Sequence, residues 1–244
     1  MTLKLSNKLI PKLITALSLT VASSTVISAN SAEAFTLKIS PEYGSTENTG
    51  ATAEVDFNFA QDGNDVLLNL DIFNTTDGTA GNGATTSTLV GVGFDLPEII
   101  KSYTYNSQNS DFTKLYSDAR LEPYGSFDIG IRSKGSGGFI GGNPQGGLTA
   151  GQSTSVQYRF TGNNLTTTEV ENAFQQGFSA TYLRAAGRFQ EVDGNGSDKV
   201  FASLLQSNVN YKGEVDIPEP TTTAALGLVS LGAFAFLKRS KKAN

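Results

Sequence analysis

The sequence predicts an all-β exported domain, an antiparallel β-sandwich of jelly-roll type with one short helix, flanked by two membrane-directed ends. Three observations lead there. Short segments alternate apolar and polar residues, and Gly, Asn and Asp clusters separate them. A single stretch carries a helix-start pattern. Each end of the chain has an apolar run beside a group of lysines. No period of fixed length recurs, which argues against a solenoid or propeller.

The N-terminal end reads as a secretory signal peptide over 1–34. Lys4, Lys8 and Lys12 form a basic region, Leu13 to Val21 an apolar one, and Ala32-Glu33-Ala34 a small-residue cleavage site. Cleavage there leaves Phe35 as the mature start. Signal peptidase and the secretion machinery are the partners this implies.

The strands follow in order. Phe35 to Ser40 places Phe35, Leu37 and Ile39 on one face. Glu54 to Ala60 turns Val55, Phe57 and Phe59 inward, and Gln61-Asp62-Gly63-Asn64 supplies a turn into Val66 to Phe73, predicting a hairpin. Asn74 to Ser87 is a polar loop. Leu89 to Leu96 reads as a buried strand whose Gly91 and Gly93 signal a bulge or close packing. Ser126 to Arg132 and Ser155 to Thr161 are further strands. Thr168-Glu169-Val170-Glu171 reads as a capping box opening a helix to about Gln176, with Gly177 as its stop. Phe178 to Val192, Lys199 to Gln206 and Val209 to Val215 read as three closing strands.

Composition excludes several chemistries. The chain has no Cys, His or Trp. A Ser-His-Asp triad, a thiol nucleophile and a His/Cys metal site cannot be built from it. The exported part, 35–216, carries 21 acidic against 11 basic side chains, a net charge of about −10. That balance repels nucleic acid and anionic lipid, so neither is an expected partner.

Three local features carry candidate chemistry. Asp193, Asn195 and Asp198 sit in a Gly-rich turn with oxygens at short spacing, which suits Ca²⁺; a plain hairpin turn is the competing reading. EF-hand spacing would need Gly at 198 and Glu at 204, where Asp198 and Leu204 stand. Residues 134–152 hold eight glycines in nineteen positions, a crossover or a binding loop. They lack the Lys-Ser/Thr of a phosphate loop. Arg184 and Arg188, four apart on a strand, share a face and suit ion pairing or an acidic sugar. No local motif nominates a catalytic carboxylate pair, and no cofactor other than Ca²⁺ is indicated.

The last 28 residues are a second address. Pro218-Glu219-Pro220 precedes an apolar run of 17 residues, 221–237, and the basic cluster Lys238, Arg239, Lys241 and Lys242 follows. As a helix the run is about 26 Å long, near the thickness of a thin bilayer core. The prolines block helix extension, and the cations anchor the cytoplasmic side.

This tripartite tail, over 217–244, resembles the PEP-CTERM sorting signal of Gram-negative bacteria and cyanobacteria. Ile217 stands where that family usually has Val. The resemblance implies an exosortase as processing partner and an inner-membrane intermediate. It also implies delivery to the cell surface or extracellular matrix, with an association with exopolysaccharide. Five stretches of the exported part are similar to a cyanobacterial branch of these proteins. They are Gly93-Phe94-Asp95-Leu96-Pro97, Gly141-Gly142-Asn143-Pro144, Leu148-Thr149-Ala150-Gly151, Arg188-Phe189-Gln190 and Gly196-Ser197-Asp198-Lys199-Val200. The expectation is a non-catalytic surface protein, binding or structural. A secreted carboxylate hydrolase and a Ca²⁺-dependent binding module are the alternatives.

Overall fold

The computed structural model describes residues 34–107 and 110–205. The cleavage-site Ala32, the segment Val209 to Val215 and the whole C-terminal tail lie outside them. So do Pro218, Glu219, Pro220, Lys238, Arg239, Lys241 and Lys242. Among the described residues no helix is long and apolar enough to cross a membrane.

The described chain is antiparallel β with one α-helix. The strands are β1 (Phe35–Ile39), β2 (Ala53–Asp62), β3 (Asp65–Asn74), β4 (Thr88–Phe94), β5 (Ser102–Asn106) and β6 (Lys114–Arg120). They continue with β7 (Ser126–Arg132), β8 (Leu148–Thr149), β9 (Ser153–Thr161), β10 (Ala185–Val192) and β11 (Gly196–Leu204). Helix α1 (Thr167–Ser179) lies between β9 and β10. The order is β5-β9-β3-β2-β1-β11-β10-β4-β7-β6, with β8 beside β4.

This path curls over a shared core. Strand β11 makes the corner: Gly196 to Phe201 pair with β10, and Ala202 to Leu204 pair with β1. Four strand steps separate β2 from β4, roughly 19 Å in a flat sheet. Yet the rings of Phe57 and Phe94 lie 5.7 Å apart, edge to face. The two halves therefore face each other, and Phe35, Phe57, Phe59, Phe94, Tyr158 and Phe160 fill the space between.

Alternation accounts for the strands that the sequence marks. In β2, Val55 and Phe57 are buried and Asp56 and Asn58 are not. Its hairpin to β3 turns at residues 63–64, with Asp62 opposite Asp65. Three strands lack a legible pattern, and one of them, β8, is only two residues long inside the glycine-rich segment. Both β5 and β6 are edges of the path, and their outer residues stay wet, so apolar alternation is weak there.

The helix differs from its expected bounds. Its N-cap is Thr166 and its N3 residue is Glu169, two positions before Thr168 and Glu171. The Thr166 side chain accepts from Glu169 N, and Thr166 N donates to Glu169 Oε2. Glu171 is instead buried, accepting from Gln175 Nε2. Gly177 does not stop the helix. A Cβ there would meet Leu183 Cδ1 at 2.3 Å, so the glycine admits close packing. Val170, Phe174 and Phe178, at i, i+4 and i+8, keep one buried stripe running past it. Strand β10 consequently begins at Ala185, not at Phe178.

Candidate functional site

The stripe that buries Val170, Phe174 and Phe178 turns the opposite face of α1 outward. Glu169, Asn172, Ala173 and Gln176, at i, i+3, i+4 and i+7, form that face. Across from it runs the Asp95 to Lys101 segment, held by Ile100 N donating to Pro97 O and Lys101 N to Thr161 O. Between them lies an open groove. It consists of two cavities of about 610 and 630 Å³ that share Glu98, Ile99 and Ala173. One end adds Asn163, Asn172 and Gln176; the other adds Asp128 and Tyr182. Ile99 is 37% and Tyr182 63% exposed, so both offer apolar surface to a ligand.

Arg184 braces the groove's second end. Its Nε donates to Asp95 Oδ2 (2.9 Å), and its backbone N–H donates to the same oxygen (3.0 Å). Its Nη atoms donate to Tyr124 O (2.9 Å) and Ser126 O (2.7 Å), and the guanidinium lies 5.2 Å from the Phe127 ring centroid. Asp128 Oδ2 accepts from Leu96 N at 2.8 Å, and Glu169 serves the helix cap. Three of the groove's carboxylates thus hold the walls. Among the described residues, Glu98 has no such partner.

The structure directs the candidate ion residues to different loops. Asp193 Oδ1 accepts from the backbone and hydroxyl groups of Thr85 and Thr86. Those bonds, the Thr86 N–H first, hold its carboxyl below the usual range. Asp198 is 1% exposed and lies inside a ring formed by residues 45–49. Ser45 Oγ, Thr46 N and Oγ1, Glu47 N, and Thr49 N and Oγ1 all donate to it, at 2.7–3.1 Å. Lys199 N adds another at 2.8 Å. Burial pushes the Asp198 carboxyl up, but the bonds from Ser45, Thr49 and Glu47 outweigh it and hold the carboxyl below its ordinary value. Asn195 is exposed at the turn. N–H and O–H donors are the partners of a carboxylate, and no group of three acidic side chains converges on an ion among the described residues.

The glycine-rich loop is an ordered strap over β4 and β7. Gly91 and Gly93 of β4 and Gly130 of β7 leave a floor without side chains. The Phe139 ring sits on it: a Cβ at Gly91, Gly93 or Gly130 would lie 2.9–3.3 Å from that ring. Close packing is therefore why β4 carries glycines. Arg132, fully buried, staples the strap from below. Its Nη1 donates to Gly135 O (2.8 Å) and Ser136 O (3.2 Å), and its Nη2 to Asn143 O (2.9 Å). Gln190 Nε2 donates to Gly142 O (3.0 Å). Arg188 does not repeat Arg184's pairing. It is 8% exposed, and burial, then the nearby Arg132 charge, lower its pKa.

Ala34 is exposed, and Phe35 opens β1 with its ring stacked 4.7 Å from that of Phe57. No family model, curated protein or solved structure matches this chain.

Proposed function

We propose that the protein is an exported, non-catalytic surface protein whose β-domain binds extracellular polysaccharide in the groove beside α1. The groove carries this reading. It is long and open, as a polymer requires, and it presents amides from Asn163, Asn172 and Gln176 beside the apolar surfaces of Ile99 and Tyr182. Amides and carboxylates hydrogen-bond sugar hydroxyls, and aromatic or aliphatic faces cover the C–H faces of the rings. Asp95, Asp128 and Glu169 are engaged in the walls, which favours binding over hydrolysis. We read the curled sheet as a sandwich of jelly-roll type, its halves facing each other across the Phe57–Phe94 contact.

The ends support export. Strand β1 starts one residue after Ala34, so cleavage there would leave every described strand intact. Pro218-Glu219-Pro220, the span 221–237 and the basic cluster then supply the address for exosortase processing and surface delivery.

Glycan-array binding of the full-length protein in mild detergent, beside hydrolase assays, tests the function. Wild type binds one or more neutral polysaccharides. Asn172→Ala and Tyr182→Ala each weaken binding about tenfold, the loss of one hydrogen bond or one stacking surface. Release of new reducing ends, abolished by Glu98→Gln, would replace binding with carboxylate hydrolysis.

A further inference from the structure

Cross-strand register places four cations in one row on the face of β6, β7, β4, β10 and β11 that turns away from the main core. Lys114 pairs with Arg132, Arg132 with Gly91, Gly91 with Arg188, and Arg188 with Lys199. Directly paired residues project from the same face of a sheet. The main core takes Val92, Phe94 and Val200 on the other face.

Two of these pairs, Lys114–Arg132 and Arg188–Lys199, set like charges directly opposite each other, an arrangement that destabilises a sheet. The chain is acidic overall, with 23 Asp and Glu against 18 Lys and Arg. Yet among the described residues none of the four cations has a carboxylate within ion-pair distance. The ion pairs engage Lys38, Arg120, Lys134, Arg159 and Arg184 instead.

The halves of the row differ. Arg132 and Lys114 turn their charges onto strap carbonyls: Lys114 Nζ donates to Gly135 O, and Arg132 reaches Gly135, Ser136 and Asn143. Arg188 has one long bond, Nη1 to Phe139 O at 3.4 Å. Its other N–H groups have no partner among the described residues and are not sealed from solvent. Lys199 beside it is half-buried, with its ammonium unpaired among the described residues. Arg188 and Lys199 are directly paired on neighbouring strands whose backbones run about 5 Å apart, so a guanidinium with free N–H groups and an ammonium rise from the same face, two donors for one oxyanion.

We propose that Arg188 and Lys199 grip one oxyanion, a carboxylate or a sulfate ester, of an acidic sugar chain at the edge of the glycine-rich strap. This site is separate from the groove beside α1. The bound anion cancels the repulsion between the two cations, and the Phe139 carbonyl fixes the guanidinium plane from the strap side.

Calorimetric titration of the full-length protein in mild detergent tests this, with three probes. Hexagalacturonate supplies carboxylates, a sulfated agarose hexasaccharide supplies sulfate esters, and cellohexaose is neutral. One or both acidic probes bind, more weakly as salt rises, and cellohexaose does not compete at this site. Arg188→Gln and Lys199→Gln each weaken acidic-probe binding at least tenfold, Arg188→Lys retains part of it, and Tyr182→Ala leaves it unchanged. Thermal melting of each variant separates lost binding from lost folding, and Lys199→Gln, at a half-exposed position, carries the test if Arg188→Gln does not fold. No acidic-probe binding, or binding untouched by Lys199→Gln, overturns the proposal. Loss with Tyr182→Ala would move the anion to the groove.

Discussion

At the scale of single residues, Asp198 ties the loop 45–49 to the sheet by charge. Seven donor groups surround its carboxylate, and charge-assisted bonds of that kind stabilise more than neutral ones. Its folded pKa lies below the unfolded value, so the stabilisation is complete above about pH 4 and is lost as pH falls through the folded pKa. Asp198→Asn therefore lowers stability at pH 7 by about 2–3 kcal/mol, since an amide leaves several donors facing an NH₂ group. The same substitution flattens the acid limb of the stability curve. Urea unfolding between pH 3 and pH 7 measures both effects. The sequence exposes the Asp-Gly-Asn-Gly-Ser-Asp run but not its partners. Six of the seven donors come from about 150 positions upstream, and only folding brings them to the carboxylate. Arg132 and Arg188 were hidden for a related reason. Their burial depends on Gly91 standing between them and on the strap passing over the strand, neither of which is a local pattern.

At the scale of elements, apolar period was a good guide where one face is buried and a poor one at edges. The hairpin of β2 and β3 is legible because Val55, Phe57, Leu68 and Leu70 all point one way. β5, built on Ser102, Tyr103, Thr104, Tyr105 and Asn106, holds only half-buried tyrosines and carries no comparable signal. Residues 166–171 read Thr-Thr-Thr-Glu-Val-Glu, which offers two registers of the same box, and the helix uses the earlier one. What selects the earlier one is burial: Val170 and Phe174 must reach the aromatic core, and Thr166 then falls at the cap. Thr166→Ala should cost about 1 kcal/mol of stability, and Thr168→Ala only a few tenths. Chemical denaturation of the two single variants compares them. Equal losses would place the cap elsewhere.

At the scale of the molecule, the two ends of the described domain lie together. Leu205 N donates to Thr36 O, and β1 pairs with β11. Thr36 and Leu205, near the first and last described residues, thus lie side by side. The groove is formed by α1 and the segment after β4, and the strap lies over β4 and β7. On the proposed function, the chain is a surface protein released by processing at Pro218-Glu219-Pro220. The most direct measurement is cell fractionation with intact-mass analysis in a host that has its exosortase, comparing wild type with a variant carrying three alanines at 218–220. Proline lacks the N–H a helix needs, and a carboxylate is costly in lipid, which is why the three alanines are the informative change. The expected result is that the variant inserts normally but stays in the inner membrane at its unprocessed mass, while wild type reaches the surface shortened. A variant that reaches the surface at the wild-type mass would contradict it and reduce the tail to a plain anchor.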